Sequence, residues 1–246
     1  MSTSQQILEI CYQDNYMVAI NKPAGMLCHK SSIDPNELIN AMYSLRDQLG
    51  QLVFPVHRLD KPTSGVLLFA LDTETASKLT DSFTNRKVEK KYLAIVRGFL
   101  AESETINYPL KKLIDKKDKH QTKENPPQEA ITSFKCLQQT ELPFHVGRYQ
   151  TSRYSLVEVQ PQTGRQRQIR RHFKHIFHPI VGDTAHGDGK HNHFFRDQFD
   201  CHRLLLHAKQ LSFKHPYTNQ IINIEAQLDA KFNDILKKIF DKKLIL

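Results

Sequence analysis

The apolar run at residues 66–71 (VLLFAL) constrains the fold of this chain more than any other stretch. Gly65 and Asp72 bound it, and its residue types predict a buried β-strand. A polar stretch precedes it, in which Pro62 fixes its own φ and Gly65 permits backbone conformations that other residues resist. The sequence therefore predicts a tight loop that leads into a central, buried strand.

Asp60 lies in that loop, and Arg58 stands two positions before it. A carboxylate at the edge of a core, with a cation close by, can stay ionised while partly removed from water. Such a group can act as a nucleophile or a base. The alternative is a structural aspartate that caps the turn, which is a common use of Asp. The residue types alone leave both interpretations open.

The bulk composition is that of a globular protein. With 246 residues, 39% of them hydrophobic and 25% charged, the chain can form one large domain or two small ones. No apolar run reaches the length of a membrane span, and residues 1–20 have no signal-peptide core, so we expect a cytoplasmic protein. The cysteines are scattered without a CxxC pair and are expected to be reduced thiols: Cys11, Cys28, Cys136 and Cys201.

The charge of the chain favours a polyanionic partner. The formal net charge is +9 and the isoelectric point is about 9.3, so nucleic acid is the leading candidate. Several histidines fall between positions 172 and 193, but no acidic or cysteine partner stands at a zinc-like spacing, and no metal site is expected. Residues 111–128 combine mixed charge with paired prolines and predict an exposed loop, which is either solvated surface or an arm along RNA phosphates.

Hydrophobic spacing predicts the other elements. Further strands are expected at 7–11, 17–20, 90–98, 130–136, 154–159, 203–213 and 221–224. A helix is expected to begin at Asp34 and Pro35 and to end at Gly50, and a second helix is expected to be capped by Asp72 or Thr73. A last helix is expected to bury four residues: Leu228, Phe232, Ile235 and Ile239.

A cluster of arginines marks one more predicted helix. Thr163 and Gln166 have the spacing of a capping box, so the helix is expected to start there. Cations in the first turns oppose the helix dipole and repel one another, which indicates that anions are bound there, either RNA phosphate or Asp60. The alternative is an ordinary basic surface helix. The cluster has four arginines: Arg165, Arg167, Arg170 and Arg171.

Three segments resemble the RluA-type pseudouridine synthases. They are residues 18–26 (VAINKPAGM), 57–65 (HRLDKPTSG) and 163–170 (TGRQRQIR). In that family the aspartate of the HRLD motif is the indispensable catalytic group, and Asp60 matches it. The third segment departs from the family at Arg167, where a histidine is usual, which puts any role of that histidine in doubt but not the pairing of aspartate and arginine.

The resemblance implies roles for further residues. Arg170 is expected to pair with Asp60 and to keep it charged and oriented. Tyr92, in a Lys-x-Tyr strand with Lys90, is expected to pack on the target base, although its strand position alone favours a structural role. Arg58 is expected to fill the space that the extruded base leaves. The remaining expected contacts to substrate or RNA are Thr63, Lys90, Arg165 and Ile169.

The resemblance also implies a fold. It is α+β, with a mixed, mostly antiparallel central sheet flanked by helices and a catalytic cleft across the sheet. We expect one catalytic domain over residues 1–246, without the N-terminal S4 domain that many members carry, and a monomer. Neither a cofactor nor a metal is expected.

The function implied is the isomerisation of uridine to pseudouridine in RNA. Within the family, the chain is most similar to enzymes that act on uridine 65 of tRNA. Three features carry this similarity: the sequence of the HRLD motif, the absent S4 domain, and residues 147–154 (GRYQTSRY). The alternatives are a ribosomal RNA uridine, or a basic RNA-binding module without catalysis. A glycoside hydrolase is a weaker alternative, because it normally needs two carboxylates and no second acid stands in an equally marked motif.

Overall fold

The computed structural model describes residues 7–29, 39–113 and 125–240. It divides into two compact units, the first formed by Met1–Lys90 with Ala208–Gln227 and the second by Lys91–His207 with Leu228–Leu246. The strands of the described part are β1 Ile10–Gln13, β2 Met17–Lys22, β3 Phe54–Pro55, β4 Ser64–Ala70, β5 Glu89–Arg97, β6 Ser103–Asn107, β7 Ile131–Leu142, β8 Ser152–Pro161, β9 Leu206–Lys214 and β10 Ile221–Glu225. The helices are α1 Ala41–Leu49, α2 Thr73–Thr84, α3 Gln168–His175, α4 Gly189–Phe199 and α5 Ala230–Ile239.

This content of helices and strands confirms the predicted α+β class. In the first unit the strand order is β1-β2-β4-β9, with β10 beside β9 and β3 beside β4. The strand β4 is buried at every position and pairs antiparallel with β2, which confirms the buried strand predicted after the Asp60 loop. No helix within the described ranges has both the length and the apolarity needed to cross a bilayer.

Gly65 at the start of β4 is required by a close approach of two backbones. Its φ is +112°, and a Cβ atom there would lie 2.2 Å from the carbonyl oxygen of Ala208 in β9. No side chain fits in that space, so only glycine allows β4 to begin where it does.

The helices of the first unit begin at side-chain caps. Asp72 caps α2 by accepting a hydrogen bond from the N–H of Thr75, as predicted. Asn40 caps α1, which ends at Gly50 in the left-handed conformation. The predicted start at Asp34 and Pro35 lies outside the described residues. The apolar side of α2 packs with β-strand residues in a core that includes Met17, Leu68, Leu79 and Phe213.

In the second unit the strand order is β5-β8-β7-β6, and the β5–β8, β8–β7 and β7–β6 pairings are antiparallel. Side chains alternate along β8, so its two faces contribute to different clusters. Val157 packs in a cluster with Ile169 and Phe173 of α3. Leu156 packs in a cluster with Phe195 of α4 and with three of the predicted inward residues, Phe232, Ile235 and Ile239 of α5. The fourth, Leu228, precedes the helix and is only partly buried against this cluster. Helix α3 therefore covers one face of this sheet, and α4 and α5 cover the other.

Helix α4 was not predicted, and most of the predicted charged loop lies outside the described residues. The sequence analysis did not predict α4, because its apolar residues lack a clear helical period; Asp188 nevertheless caps it by accepting from the N–H of Lys190. Most of the predicted charged loop, residues 114–124, lies outside the described residues. Its described ends are held together, since Leu110 and Gln128 exchange two backbone hydrogen bonds of 2.8 and 3.0 Å.

Candidate active site

Asp60 is half-buried in the loop that connects β3 with β4 in the first unit. Its carbonyl oxygen accepts a hydrogen bond of 3.0 Å from the N–H of Thr63, which closes a tight turn. The residue before Asp60, Leu59, is buried, whereas Arg58 is exposed. Thr63 is buried at the other end of the turn. The turn thus joins Asp60 and Thr63, and it leaves Arg58 accessible from solvent.

The buried ammonium group of Lys22 fixes the loop that contains Asp60. The Nζ of Lys22 donates hydrogen bonds to the carbonyl oxygens of Pro23 and Met26, both at 2.8 Å, and to that of Lys61 at 3.2 Å. A buried charge is tolerated only when hydrogen bonds replace its hydration, and three carbonyl dipoles do so here. The N–H of Gly25 also donates to the carbonyl of Lys61. The residue next to Asp60 is therefore held by two groups from segment 18–26.

The imidazole of His57 fixes the start of the loop. Its Nε2 accepts a hydrogen bond of 3.0 Å from the N–H of Leu68 in β4, and its ring stacks on Phe83 with the centroids 4.7 Å apart. Burial and the charge of Lys90 lower the pKa of His57 to about 3. The ring is therefore neutral at physiological pH, and its one proton is on Nδ1.

The thiol of Cys28 fixes the same loop from another side. Its Sγ donates to the carbonyl of Leu59 at 3.1 Å and accepts from the N–H of Leu59 at 3.2 Å. Burial raises the pKa of Cys28, so the group stays a neutral thiol that can do both. The sequence analysis had treated Cys28 as an ordinary thiol, because its partner is 31 residues away in the sequence.

We expect Cys28→Ala to lower kcat about 5- to 50-fold with little change in KM. The substitution leaves a buried N–H and a buried C=O of Leu59 unpaired and lets the backbone before Asp60 shift, and small misplacements of a reacting group are costly. Cys28→Ser, which can still donate and accept, should lie closer to wild type. Steady-state kinetics would measure both variants. The matched control is Cys201→Ala, a thiol of similar burial in the other unit, and equal turnover in the two alanine variants would contradict this role.

In the second unit the predicted capping box does not form. Helix α3 begins at Gln168, and the residue before it, Arg167, has a left-handed φ of 54° and makes no side-chain cap. The hydroxyl of Thr163 instead donates to Oε1 of Gln168 at 2.7 Å and accepts from the N–H of Ile131 at 2.9 Å. The prediction of a helix start at Thr163 is wrong, because the amide of Gln168 fixes the segment to β7 through Thr132 and Ile131.

Arg170 lies in the first turn of α3 and forms a buried ion pair with Asp183. The Nε of Arg170 donates to one carboxylate oxygen at 2.7 Å and its Nη2 to the other at 2.8 Å. The side chain of Arg170 is only 5% exposed. Backbone N–H groups of Ala185 and His186 also donate to Asp183, each at 2.9 Å. The guanidinium plane is thus fixed by a bidentate contact.

The sequence analysis did not predict Asp183 as the partner of Arg170. Its segment, 178–183 (HPIVGD), had been noted only as similar to the family. Burial raises the pKa of Asp183, whereas the hydrogen bonds and charge of Arg170 and the two backbone donors lower it. The lowering is the larger effect, so the pKa of Asp183 is below its usual range. Asp183 is therefore an anion that balances Arg170. The pairing of Arg170 with Asp60 stays a prediction.

The other predicted site residues occupy defined positions within their own units. Tyr92 is half-buried in β5 and pairs with Val159 of β8. Ile169 packs in the apolar cluster under α3. The Nε of Arg165 donates to the carbonyl of Glu129 at 2.9 Å. Burial lowers the pKa of Lys90, with a further contribution from Arg86. The contacts of these residues to substrate stay predictions.

No group of three or more His, Cys, Asp or Glu residues that could hold a metal ion occurs within residues 7–29, 39–113 and 125–240. The first unit offers a half-buried carboxylate, Asp60, on a fixed loop. The second unit offers a guanidinium, Arg170, held by a buried counter-ion.

Comparison with known proteins connects these features to a family. The model of the RNA pseudouridylate synthase family matches residues 16–175. Over 240 residues the chain is 51% identical to tRNA pseudouridine synthase C of Vibrio parahaemolyticus serotype O3:K6 (strain RIMD 2210633), covering 97% of this chain and 98% of that protein. Over 233 residues it is 51% identical to the protein of that name from Haemophilus influenzae (strain ATCC 51907 / DSM 11121 / KW20 / Rd), covering 94% and 98%.

Solved structures agree on the fold. Human RNA pseudouridylate synthase domain containing 1 superposes with a TM-score of 0.70 at 24% identity, covering 93% of this chain and 86% of that one. Human RNA pseudouridylate synthase domain containing 4 gives a TM-score of 0.67 at 26% identity, covering 93% and 91%. The predicted fold is therefore confirmed.

Proposed function

This chain belongs to the RNA pseudouridylate synthase family, and from that premise we propose that it modifies uridine 65 of tRNA with Asp60 as the catalytic group. The conversion of uridine to pseudouridine in RNA is the activity of the family, so the protein is an isomerase. The substrate RNA, the position and the catalytic residues are the proposal.

Two observations support tRNA as the substrate. Relatives that share about half of their residues with this chain, over nearly all of both lengths, are named tRNA pseudouridine synthase C. The net charge of +9 favours binding of a polyanion of any sequence. The choice of position 65 is supported by the resemblance of the HRLD motif and of residues 147–154 to the sequences of enzymes that act at that position.

The reaction needs one well-placed carboxylate. The bond between C1′ of the ribose and N1 of the base breaks, the base rotates, and C5 bonds to C1′. C5 then loses its proton and N1 gains one, so that the product is an isomer of uridine. In one route the carboxylate attacks C1′, and in the other it removes the 2′ proton to give a glycal. Both routes require the carboxylate against the ribose, and Asp60 would serve in either.

The observation that carries this proposal is the way the Asp60 loop is held. Lys22, Cys28 and His57 each bond to the loop or to the strand after it, and together they fix the backbone on both sides of Asp60. A reacting group held before substrate arrives needs no ordering during the reaction. A merely turn-capping aspartate would not need three such contacts.

The other roles follow from the family and fit the local structure. Arg170 would hold Asp60 charged, and Asp183 keeps the Arg170 guanidinium in one orientation. Tyr92 would stack on the freed uracil. The target base must be swung out of its helix, at a cost of a few kcal/mol. The exposed guanidinium of Arg58 would fill the gap, since arginine planes stack well on bases.

Release of tritium from C5-labelled uridine would test the proposal. We expect release from unmodified tRNA, none from ribosomal RNA, and loss of release when uridine 65 of the tRNA is replaced by cytidine. Turnover of ribosomal RNA alone would overturn the choice of substrate. Release that persists from the tRNA with cytidine at position 65 would overturn the choice of position.

A further inference from the structure

Phe177 follows the last turn of α3 and is the most exposed aromatic residue of the described part, at 79%. Its φ is +64°, a left-handed conformation that is unfavourable for a bulky side chain. Four other non-glycine residues in the described ranges have a positive φ, and all are polar: Arg86, Arg167, Asp200 and Asn219. Phe177 thus combines an unfavourable backbone with an apolar ring in water.

The hydrogen bonds of the backbone around Phe177 explain its left-handed conformation but not why the residue is a phenylalanine. The N–H of His178 donates to the carbonyl of Phe173 at 2.9 Å, and the N–H of Phe177 donates to that of Lys174 at 3.1 Å. These two bonds form a Schellman motif, in which the left-handed position is usually glycine. Phenylalanine there gains little packing over glycine, because its side chain is mostly in solvent. The ring itself therefore needs another explanation.

The segment that carries the ring is rigidly held. The Nη2 of Arg97 donates to the carbonyl of Phe177 at 3.0 Å, and Nη1 of the same guanidinium forms an ion pair with Asp188. The N–H of Arg97 donates to the carbonyl of Pro179 at 3.0 Å, and the His178 ring bonds to the carbonyl of Arg97 at 2.8 Å. A ring presented on a fixed backbone loses little freedom when it binds.

The charges around this ring indicate what it binds. Residues 165–178 contain five lysines and arginines and no acidic residue. An apolar protein surface would be poorly matched to these cations, whereas RNA offers phosphates to them and flat bases to the ring. Along α3, Phe177 lies about 10 Å from Arg170, given a rise of about 1.5 Å per residue. Because the proposed function puts Arg170 beside the target uridine, the base that Phe177 meets is a different one.

We propose that Phe177 is an RNA contact that stacks on a base of the substrate RNA other than the target uridine, while the cations of α3 bind the neighbouring phosphates. This inference rests on the proposed function and extends it to recognition of the substrate. The contact contributes to binding and leaves the chemical step unchanged.

Three variants at this position test the proposal in a steady-state assay on tRNA. Phe177→Gly and Phe177→Leu should raise KM about 5- to 20-fold with kcat unchanged, because a stacked ring is lost. Phe177→Tyr keeps a flat ring and should stay within about twofold of wild type. The melting temperature of Phe177→Gly should be unchanged or higher, since glycine favours a positive φ. Weaker binding in a variant that is no less stable would exclude unfolding as the cause.

The matched control is Leu52→Asn, which removes an apolar side chain that is 65% exposed in the other unit. It should leave KM unchanged. A wild-type KM in Phe177→Gly, or an equal rise in the control, would overturn the stacking role. The proposed function would fail differently, because wild-type protein would then form no pseudouridine in tRNA.

Discussion

Asp60→Ala is expected to abolish pseudouridine formation while leaving the fold and tRNA binding intact. Asp60→Asn should do the same, because an amide has nearly the shape of the carboxylate but neither its charge nor its basicity. We expect a loss of about 10⁴-fold or more, since no other group can replace the one carboxylate that both routes require. Tritium release would measure turnover, and fluorescence anisotropy with labelled tRNA would measure binding.

The fold should survive because Asp60 is half-buried, and Lys22 and Cys28 still hold the backbone of its loop in the variant. Asp47→Asn is the matched control, since Asp47 is an exposed carboxylate paired with Arg46 on α1 of the same unit. It should retain wild-type turnover. If Asp60→Asn kept activity within tenfold of wild type, Asp60 would be a structural residue and the mechanism would need another group.

Arg170→Met is expected to destabilise the protein by about 3–5 kcal/mol and to abolish activity. Removing one partner of a buried ion pair leaves the other charge uncompensated, and that penalty is of this size. Asp183 would keep its two backbone donors but lose both bonds from the guanidinium. Urea unfolding would measure the loss of stability. Arg171→Met, at the next and less buried position, should cost under about 1 kcal/mol.

A double variant separates the two roles of this pair. Adding Asp183→Asn to Arg170→Met removes the uncompensated charge and keeps an acceptor for Ala185 and His186, so most of the stability should return. Activity should not return, because Arg170 would still be absent. If the double variant recovered turnover together with stability, Arg170 would be needed only for folding.

The same pair predicts a dependence of stability on pH. The hydrogen bonds and charge of Arg170, together with the two backbone donors, hold the folded-state pKa of Asp183 below the ordinary value of an aspartate. A depressed carboxyl pKa contributes stability that is fully present above the unfolded pKa and is lost as the pH falls through the folded pKa. The free energy of unfolding should therefore decrease as the pH drops below about 4. The decrease should be smaller in Asp183→Asn, which lacks the titrating carboxylate. Urea unfolding between about pH 3 and pH 6 would show the difference, and parallel curves would contradict it.

Local signals in the sequence determined much of this protein. The apolar run after Gly65 predicted β4, and Asp72 was predicted as a helix cap, because each depends on residues within a few positions. The HRLD motif and segments 18–26 and 163–170 identified the family for the same reason, since each is a short sequence motif. The fold class followed from these elements and from the family.

Contacts between distant residues were decided by the tertiary structure alone. Helix α3 begins at Gln168 because its amide bonds to residues of β7 some 36 positions earlier, and no local pattern encodes that distance. Lys22 and Cys28 hold the Asp60 loop across 39 and 31 positions. Asp183 meets Arg170 only because the chain returns after α3. Sequence motifs show which groups a site contains, whereas the packed chain decides which buried partners fix those groups in place.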